Sequence, residues 1–144
     1  MAKYLKTTVI KGRVLGVNVY RGYADLADLA MISKPDIFDQ KKNPTGTQRD
    51  LNQKHAKEAY EYVKTKLLAF WPEVFLCVRN SKVIKFTPSK HNNQIGTLTI
   101  DMSIAKRKNS ISISRVDGNH RLHFADGNFD GFSEIRKTVS FCLA

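Results

Sequence analysis

An alternating apolar segment that stops at a glycine turn occupies residues 110–124. Ile111, Ile113 and Val116 are spaced as on a β-strand with one buried face. The strand is expected to end at Asp117-Gly118, a dipeptide typical of tight turns. A turn at the end of a strand exposes consecutive backbone N–H groups, which form a concavity that binds anions. The segment therefore predicts a strand whose end is a candidate anion site.

Three polar residues, Asn119, His120 and Arg121, follow this turn directly. His120 and Arg121 add positive charge and directional donors beside the backbone N–H groups. A phosphate group is therefore the expected ligand. The same residues also fit a plain hairpin with a solvated surface arginine, and the local sequence leaves both interpretations open.

The remaining periodicity predicts one α+β domain over residues 1–144. Helices are expected at 24–32, with Leu26, Leu29 and Ala30 facing inward, and at 51–70. Strands are expected at 7–11, 14–20, 73–79, 82–86, 96–102 and 138–144, with a hairpin turn at 11–13 joining the first two. Strands 14–20 and 73–79 are apolar on both faces, which is typical of central positions in a sheet.

The start of the predicted helix 51–70 is a second candidate anion site. Asp50 and Gln53 have the spacing of a capping box, and Gln48 and Arg49 precede them. Exposed N–H groups and the helix dipole favour an anion at such a terminus. The alternative is that Gln48 and Arg49 are ordinary surface residues of a loop before a well-capped helix.

The charge balance favours a polyanionic partner. The chain carries 24 Lys and Arg against 13 Asp and Glu, a net charge of +11. Nucleic acid, a nucleotide or an anionic membrane would suit this excess. Membrane is the weakest of the three, because no apolar run is long enough to span a bilayer. Cys77 and Cys142 each lie within an apolar run, so both are expected to be buried thiols in a cytoplasmic protein.

Lys106, Arg107 and Lys108 form a basic turn before the strand at 110–116. Such a turn is able to contact a phosphate backbone, although a basic run of this length is more often a solvated loop. Aromatic residues do not interleave with it as they do on a platform that stacks single-stranded bases. No recognition helix or zinc finger is visible, so direct readout of bases has no support in the sequence.

Metal binding has little support in the sequence. Asp126, Asn128 and Asp130 resemble half of a calcium loop, but the distal glutamate is out of register. One of these carboxylates would suit Mg²⁺ beside a nucleotide. His120 and His123 have no further ligand nearby for zinc, so no metal site is predicted.

Two motifs resemble those of a known family. The segment 117–122, Asp-Gly-Asn-His-Arg-Leu, resembles the DGQHR signature, with Asn119 in place of glutamine. Asn43-Pro44 followed by Gln48-Arg49 is similar to the N-P-x-Q-P-R box of ParB-like domains, with two inserted residues and without the second proline. The chain is thus similar to the DGQHR-domain, or DndB-like, family of the ParB/sulfiredoxin-like superfamily, which is associated with DNA phosphorothioate modification and phage defence.

This resemblance implies a ParB/sulfiredoxin-like mixed sheet with a long helix packed on it and short extra helices. It implies an NTP ligand, either ATP or CTP. It leaves open whether Mg²⁺ accompanies the NTP and whether the NTP is hydrolysed, because no catalytic base is evident. The residues expected to bind the NTP are Asn43, Gln48, Arg49, Gly118 and Asn119. The residues expected to act on its phosphates are Asp117, His120 and Arg121. Asp117 is expected either to orient a water or a metal, or to cap the turn.

The same resemblance allows a second function. A non-enzymatic transcriptional regulator would bind DNA through Lys106, Arg107 and Lys108 and the general positive charge, without a nucleotide. Members of the family usually continue well past the position where this sequence stops. The resemblance therefore implies a fragment or a natural short form, and it leaves a homo-oligomer open.

Overall fold

The computed structural model describes residues 3–36, 40–41, 44, 54, 58, 73–117, 122 and 138–144. Its strands are β1 (Tyr4–Val14), β2 (Val17–Asp25), β3 (Lys34–Pro35), β4 (Val74–Val78), β5 (Ile84–Pro88), β6 (Ile95–Asp101), β7 (Ile113–Asp117) and β8 (Thr138–Leu143). Its helices are α1 (Leu26–Ile32) and α2 (Met102–Ala105), with a 3-10 turn at Ser81–Val83. The described part of the chain is therefore an α+β fold, as expected.

The eight strands form one mixed sheet in the order β3-β7-β4-β8-β2-β1-β6-β5. Antiparallel pairs join β8 to β2 and continue across β1 and β6 to β5. At the other side, β3 and β7 are parallel, as are β4 and β8. The sheet therefore has an antiparallel half, β2-β1-β6-β5, and a mixed half, β3-β7-β4-β8.

One face of the sheet supports the hydrophobic core. Cross-strand partners share a face, so Val9, Leu98 and Phe141 lie on this side, and all three are buried. Leu26, Leu29 and Ala30 of α1 pack into the same cluster. Their inward orientation confirms the expectation for the helix predicted at 24–32.

The first hairpin turns later than predicted. Instead of a turn at 11–13, β1 continues to Val14, and Gly12 pairs in register with Val19. The turn is formed by Leu15 and Gly16, with φ of 50° and 85°. A two-residue hairpin favours positive φ at both positions because its twist then matches the strands. Gly16 adopts this conformation readily, whereas the fully exposed Leu15 does so at some cost.

The central strands were predicted well. β4, predicted at 73–79, lies between β7 and β8, and β2, which overlaps the strand predicted at 14–20, lies between β8 and β1. Both cysteines are free thiols; Cys142 is buried as expected, whereas Cys77 is only half-buried.

Most of the helix predicted at 51–70 lies outside the described residues. Within that range the structure describes Lys54 and Glu58, and both are helical and exposed. No helix in the described ranges is long and apolar enough to cross a membrane.

Gly96 allows the edge strand β5 to approach β6. A Cβ at Gly96 would lie 2.2 Å from the Thr87 carbonyl oxygen, which is a steric clash with the backbone of β5. We expect Gly96→Ala to lower the free energy of unfolding by about 1–3 kcal/mol, the usual cost of overpacking. Gly12→Ala is the matched control, because its Cβ would meet only Val19 Cγ2 at 3.8 Å. Equal urea midpoints for the two variants would contradict the close approach.

Candidate phosphate-binding region at the end of strand β7

The strand before the Asp-Gly turn lies inside the mixed half of the sheet. β7 pairs in parallel with β3, through Lys34↔Ser114 and Pro35↔Arg115. On its other side it pairs antiparallel with β4, where Phe75 faces Asp117. The register shifts between Phe75 and Leu76, so one β7 residue is extra at that point. Asp117 therefore ends a strand that is held from both sides.

The buried face of β7 differs from the prediction. Ile113 is buried as expected, but Val116 is 43% exposed, and Arg115 is only 1% exposed. Side chains alternate along a strand, so Ile113 and Arg115 share one face and Val116 points to the other. The prediction that Val116 shares a buried face with Ile113 is therefore wrong, and Ser114, on the same face as Val116, is buried as well.

Arg115 is the largest fully buried side chain among the described residues. Its Nε donates to Ser33 Oγ at 3.1 Å. Its Nη2 donates to the carbonyl oxygens of Ala30 and Ser33, at 3.2 and 3.3 Å. Those carbonyls belong to the end of α1, where the helix dipole is negative. The guanidinium therefore fixes the end of α1 against the strand that leads to the turn.

A second charged contact links the two strands that flank β7. Arg79, directly after β4, donates through Nη2 to Asp36 Oδ2 at 2.6 Å, and Asp36 directly follows β3. The Asp36 side chain is 8% exposed, so water screens this pair only weakly. The Arg79 backbone N–H also donates to the Ser112 carbonyl at 2.8 Å. Arg79 thus holds β3, β4 and the start of β7 together.

Asp117 is the motif residue that the structure describes, and it is exposed at the end of β7. The other motif residues, Gly118, Asn119, His120 and Arg121, lie outside the described residues. So do Asn43, Gln48 and Arg49, and the carboxylates of Asp126 and Asp130. Leu122, just after the motif, is fully buried in the core.

The chain leaves β3 and β7 from neighbouring strand ends. The two strands are parallel and adjacent, so the residues that follow Pro35 and Asp117 start on the same side of the sheet. The first of these segments leads to Asn43, Gln48 and Arg49, and the second leads at once to the Asp-Gly motif. The chain segments that lead to the two candidate anion motifs therefore leave the sheet at neighbouring strand ends.

The basic turn lies at the opposite end of β7. It precedes Ile113, and the strand from Ile113 to Asp117 spans about 13 Å at the usual rise per residue. Lys106, Arg107 and Lys108 are all exposed. Lys34 Nζ donates to the carbonyl oxygens of Arg107 and Ser110, the latter at 2.9 Å. These two bonds hold the backbone of the turn, and the cationic side chains of the turn are exposed to solvent.

Helix α2 anchors the start of the basic turn. Asp101 caps the helix, and its carboxylate accepts from the Ser103 hydroxyl at 2.6 Å and the Ser103 N–H at 2.9 Å. These bonds lower the pKa of Asp101, and the bond from the Ser103 hydroxyl has the largest effect. At the other end of α2, the Lys106 N–H donates to the Met102 carbonyl at 3.0 Å. The capped helix therefore places Lys106 at a fixed position.

Comparison with known proteins adds no family assignment. No family model, curated protein or solved structure matches the chain. The similarity to the DGQHR-domain family therefore stays a prediction from the two motifs. In the described ranges, no group of three His, Cys, Asp or Glu side chains is placed to hold a metal ion.

Arg115 should matter more to stability than an exposed arginine does. Arg115→Met keeps much of the volume but leaves the Ala30 and Ser33 carbonyls buried without this donor. We expect the free energy of unfolding to fall by at least about 2 kcal/mol, because buried unsatisfied acceptors cost about 1–3 kcal/mol each. Arg13→Met is the matched control; Arg13 is exposed, and a change within about 0.5 kcal/mol is expected. Urea unfolding measures both variants, and equal losses would refute the bridging role.

Proposed function

We propose that the chain binds a nucleotide through its phosphates at the edge where β3 and β7 end. The parallel pairing of Lys34 with Ser114 and Pro35 with Arg115 is the observation that carries the proposal. It starts both motif-bearing segments from neighbouring strand ends, and ligands of α/β sheets commonly bind outside the carboxyl ends of strands. Arg115 and the Asp36–Arg79 ion pair stiffen the frame below this edge.

The proposed roles follow from the chemistry of the motif residues. Backbone N–H groups of Gly118 and Asn119 would bind phosphate oxygens, and His120 and Arg121 would neutralise their charge. Asn43, Gln48 and Arg49 would complete the site from the segment after β3. The proposed ligand is ATP or CTP, and the proposed activity is binding rather than hydrolysis. The test compares binding with and without Mg²⁺.

Arg121→Ala should abolish stabilisation by nucleotide. A ligand at about one hundred times its Kd stabilises the folded state by about 2.7 kcal/mol, which raises Tm by several degrees for a chain of this size. Thermal shifts with ATP, GTP, CTP and UTP, each with and without Mg²⁺, measure the effect. Arg13→Ala, on the distant hairpin, should keep the wild-type shift. An unchanged shift in Arg121→Ala would remove this residue from the site.

A second function, binding to the backbone of duplex DNA, is favoured by the basic turn. Lys106, Arg107 and Lys108 are exposed, and the backbone that carries them is held by Lys34 and α2. Cations that neutralise phosphates release condensed counterions, which makes the affinity depend on salt but not on sequence.

Changing Lys106, Arg107 and Lys108 together to alanine should weaken duplex binding similarly for all DNA sequences. The plot of log affinity against log salt should become shallower by up to about 2.7, because each phosphate contact contributes about 0.9. The control is Arg13→Ala, Lys82→Ala and Lys90→Ala, which removes the same charge from exposed positions away from the turn. A loss that depends on sequence, or an equal loss in the control, would contradict a backbone contact at the turn.

A further inference from the structure

The antiparallel half of the sheet carries many cations and few carboxylates; its strands contain Asp25 at the end of β2 and Asp101 at the end of β6. Residues 3–24 and 82–100 supply almost all of β2, β1, β6 and β5, and they contain no Asp or Glu. The same residues contain eight cationic side chains: Lys3, Lys6, Lys11, Arg13, Arg21, Lys82, Lys85 and Lys90. All 13 carboxylates of the chain lie elsewhere in the sequence.

The strand register collects part of this charge on one exposed face, which we call the outer face. Lys85 pairs with Thr99 and Thr99 with Lys6, so two lysines flank one threonine across three strands. Ile10 pairs with both Ile95 and Arg21, which places these three side chains on the same side. The outer face is formed by residues that are all exposed: Tyr4, Lys6, Thr8, Ile10, Arg21, Tyr23, Lys85, Thr87, Ile95 and Thr97.

Aromatic and apolar groups lie among these cations. Tyr23 is 71% exposed and Tyr4 is 45% exposed, and Ile10 is 59% exposed. The Thr7 hydroxyl donates to the Tyr23 carbonyl at 2.9 Å, which fixes the backbone at this aromatic residue. Lys3 Nζ lies 5.5 Å from the centroid of the Tyr4 ring. The interleaving of aromatic and basic residues that the basic turn lacks is therefore present on the outer face.

The carboxylates nearest to this face in the strands are already engaged. Asp101, at the end of β6, caps α2, and Asp25, at the end of β2, caps α1; Glu73, directly before β4, lies 3.4 Å from Arg21. In the described ranges, Lys6 and Lys85 take part in no ion pair. Val9, Leu98 and Ile100 are buried on the other side of the same strands, whereas the outer side holds the buried Val19 and Cys142 on β2 and β8.

We propose that the outer face binds single-stranded nucleic acid. Phosphates would lie against Lys6 and Lys85, and bases would stack on Tyr23 and Tyr4. An exposed sheet that combines cations with aromatic rings is the arrangement by which single strands are held with little sequence preference. Charge complementarity selects this occupant over a second copy of the chain, because two copies of a face with an excess of cations repel each other.

The first test separates stacking from charge at Tyr23. Fluorescence anisotropy would follow the binding of oligothymidine and oligouridine of about 12 nucleotides, a length that one such domain covers. Tyr23→Leu should weaken both by about fivefold or more, because it removes the aromatic ring. Tyr23→Phe keeps the ring and should bind like the wild type. Equal affinities for Tyr23→Leu and the wild type would overturn the proposal.

The second test separates the outer face from the basic turn. Lys6→Ala with Lys85→Ala should reduce single-strand affinity more than Lys106→Ala with Lys108→Ala, although each pair removes the same charge. A larger effect of the Lys106 and Lys108 pair would overturn the proposal and assign the contact to the turn. Circular dichroism would establish that each variant is folded.

Three further measurements would identify the ligand and test for a dimer. Tighter binding of oligouridine than of oligothymidine would assign RNA, and the reverse would assign single-stranded DNA. A competing duplex that displaces both equally would refute single-strand binding. Sedimentation that shows a dimer dissociated by Lys6→Glu would assign the face to a second copy and overturn the proposal. These outcomes do not depend on Arg121, so nucleotide binding succeeds or fails separately.

Discussion

A buried guanidinium organises the mixed half of this sheet. Burial of a charge is costly unless hydrogen bonds compensate it, and Arg115 meets this condition at the end of α1. Its contacts require Ser33, the last turn of α1 and β7 to occupy fixed relative positions. Since β3 follows Ser33 directly, the same contacts also bring β3 beside β7. The edge at which β3 and β7 end is therefore held by Arg115 together with the Asp36–Arg79 ion pair.

The two halves of the sheet differ in chemistry as well as in strand direction. The mixed half contains the buried arginine and the Asp36–Arg79 ion pair, and its cations are largely used to hold the fold together. The antiparallel half has a core of aliphatic side chains and keeps its cations at the surface. Cations that are paired within the fold and cations that are exposed to solvent are thus separated between the two halves of one sheet. The basic turn, which precedes β7, resembles the antiparallel half because its cations are exposed at the surface.

Local pattern was sufficient for several elements of the fold. The alternation of Leu98 and Ile100 predicted β6, and the spacing of Leu26, Leu29 and Ala30 predicted α1, because one buried face leaves a direct periodic signal. The hairpin was misplaced because Gly12 was interpreted as a turn residue, whereas the exposed Gly16 provides the positive φ. Arg115 was overlooked because hydropathy assigns arginine to solvent, although its parity with Ile113 indicated the core. The outer face was not predictable, since Tyr23, Lys6 and Lys85 become neighbours only through the register of four strands.

The scarcity of carboxylates in half of the sheet also bears on how the molecule would approach a polyanion. Residues 3–24 and 82–100 carry eight cations and no carboxylate, whereas the rest of the sequence carries 16 cations and 13 carboxylates, so positive charge is less compensated on the antiparallel half. Near a polyanion, this asymmetry favours approach with the antiparallel half toward the negative surface. Such pre-alignment raises the fraction of productive collisions, and it weakens as added ions shorten the Debye length. The location of acidic residues thus governs encounter kinetics even where those residues touch no ligand.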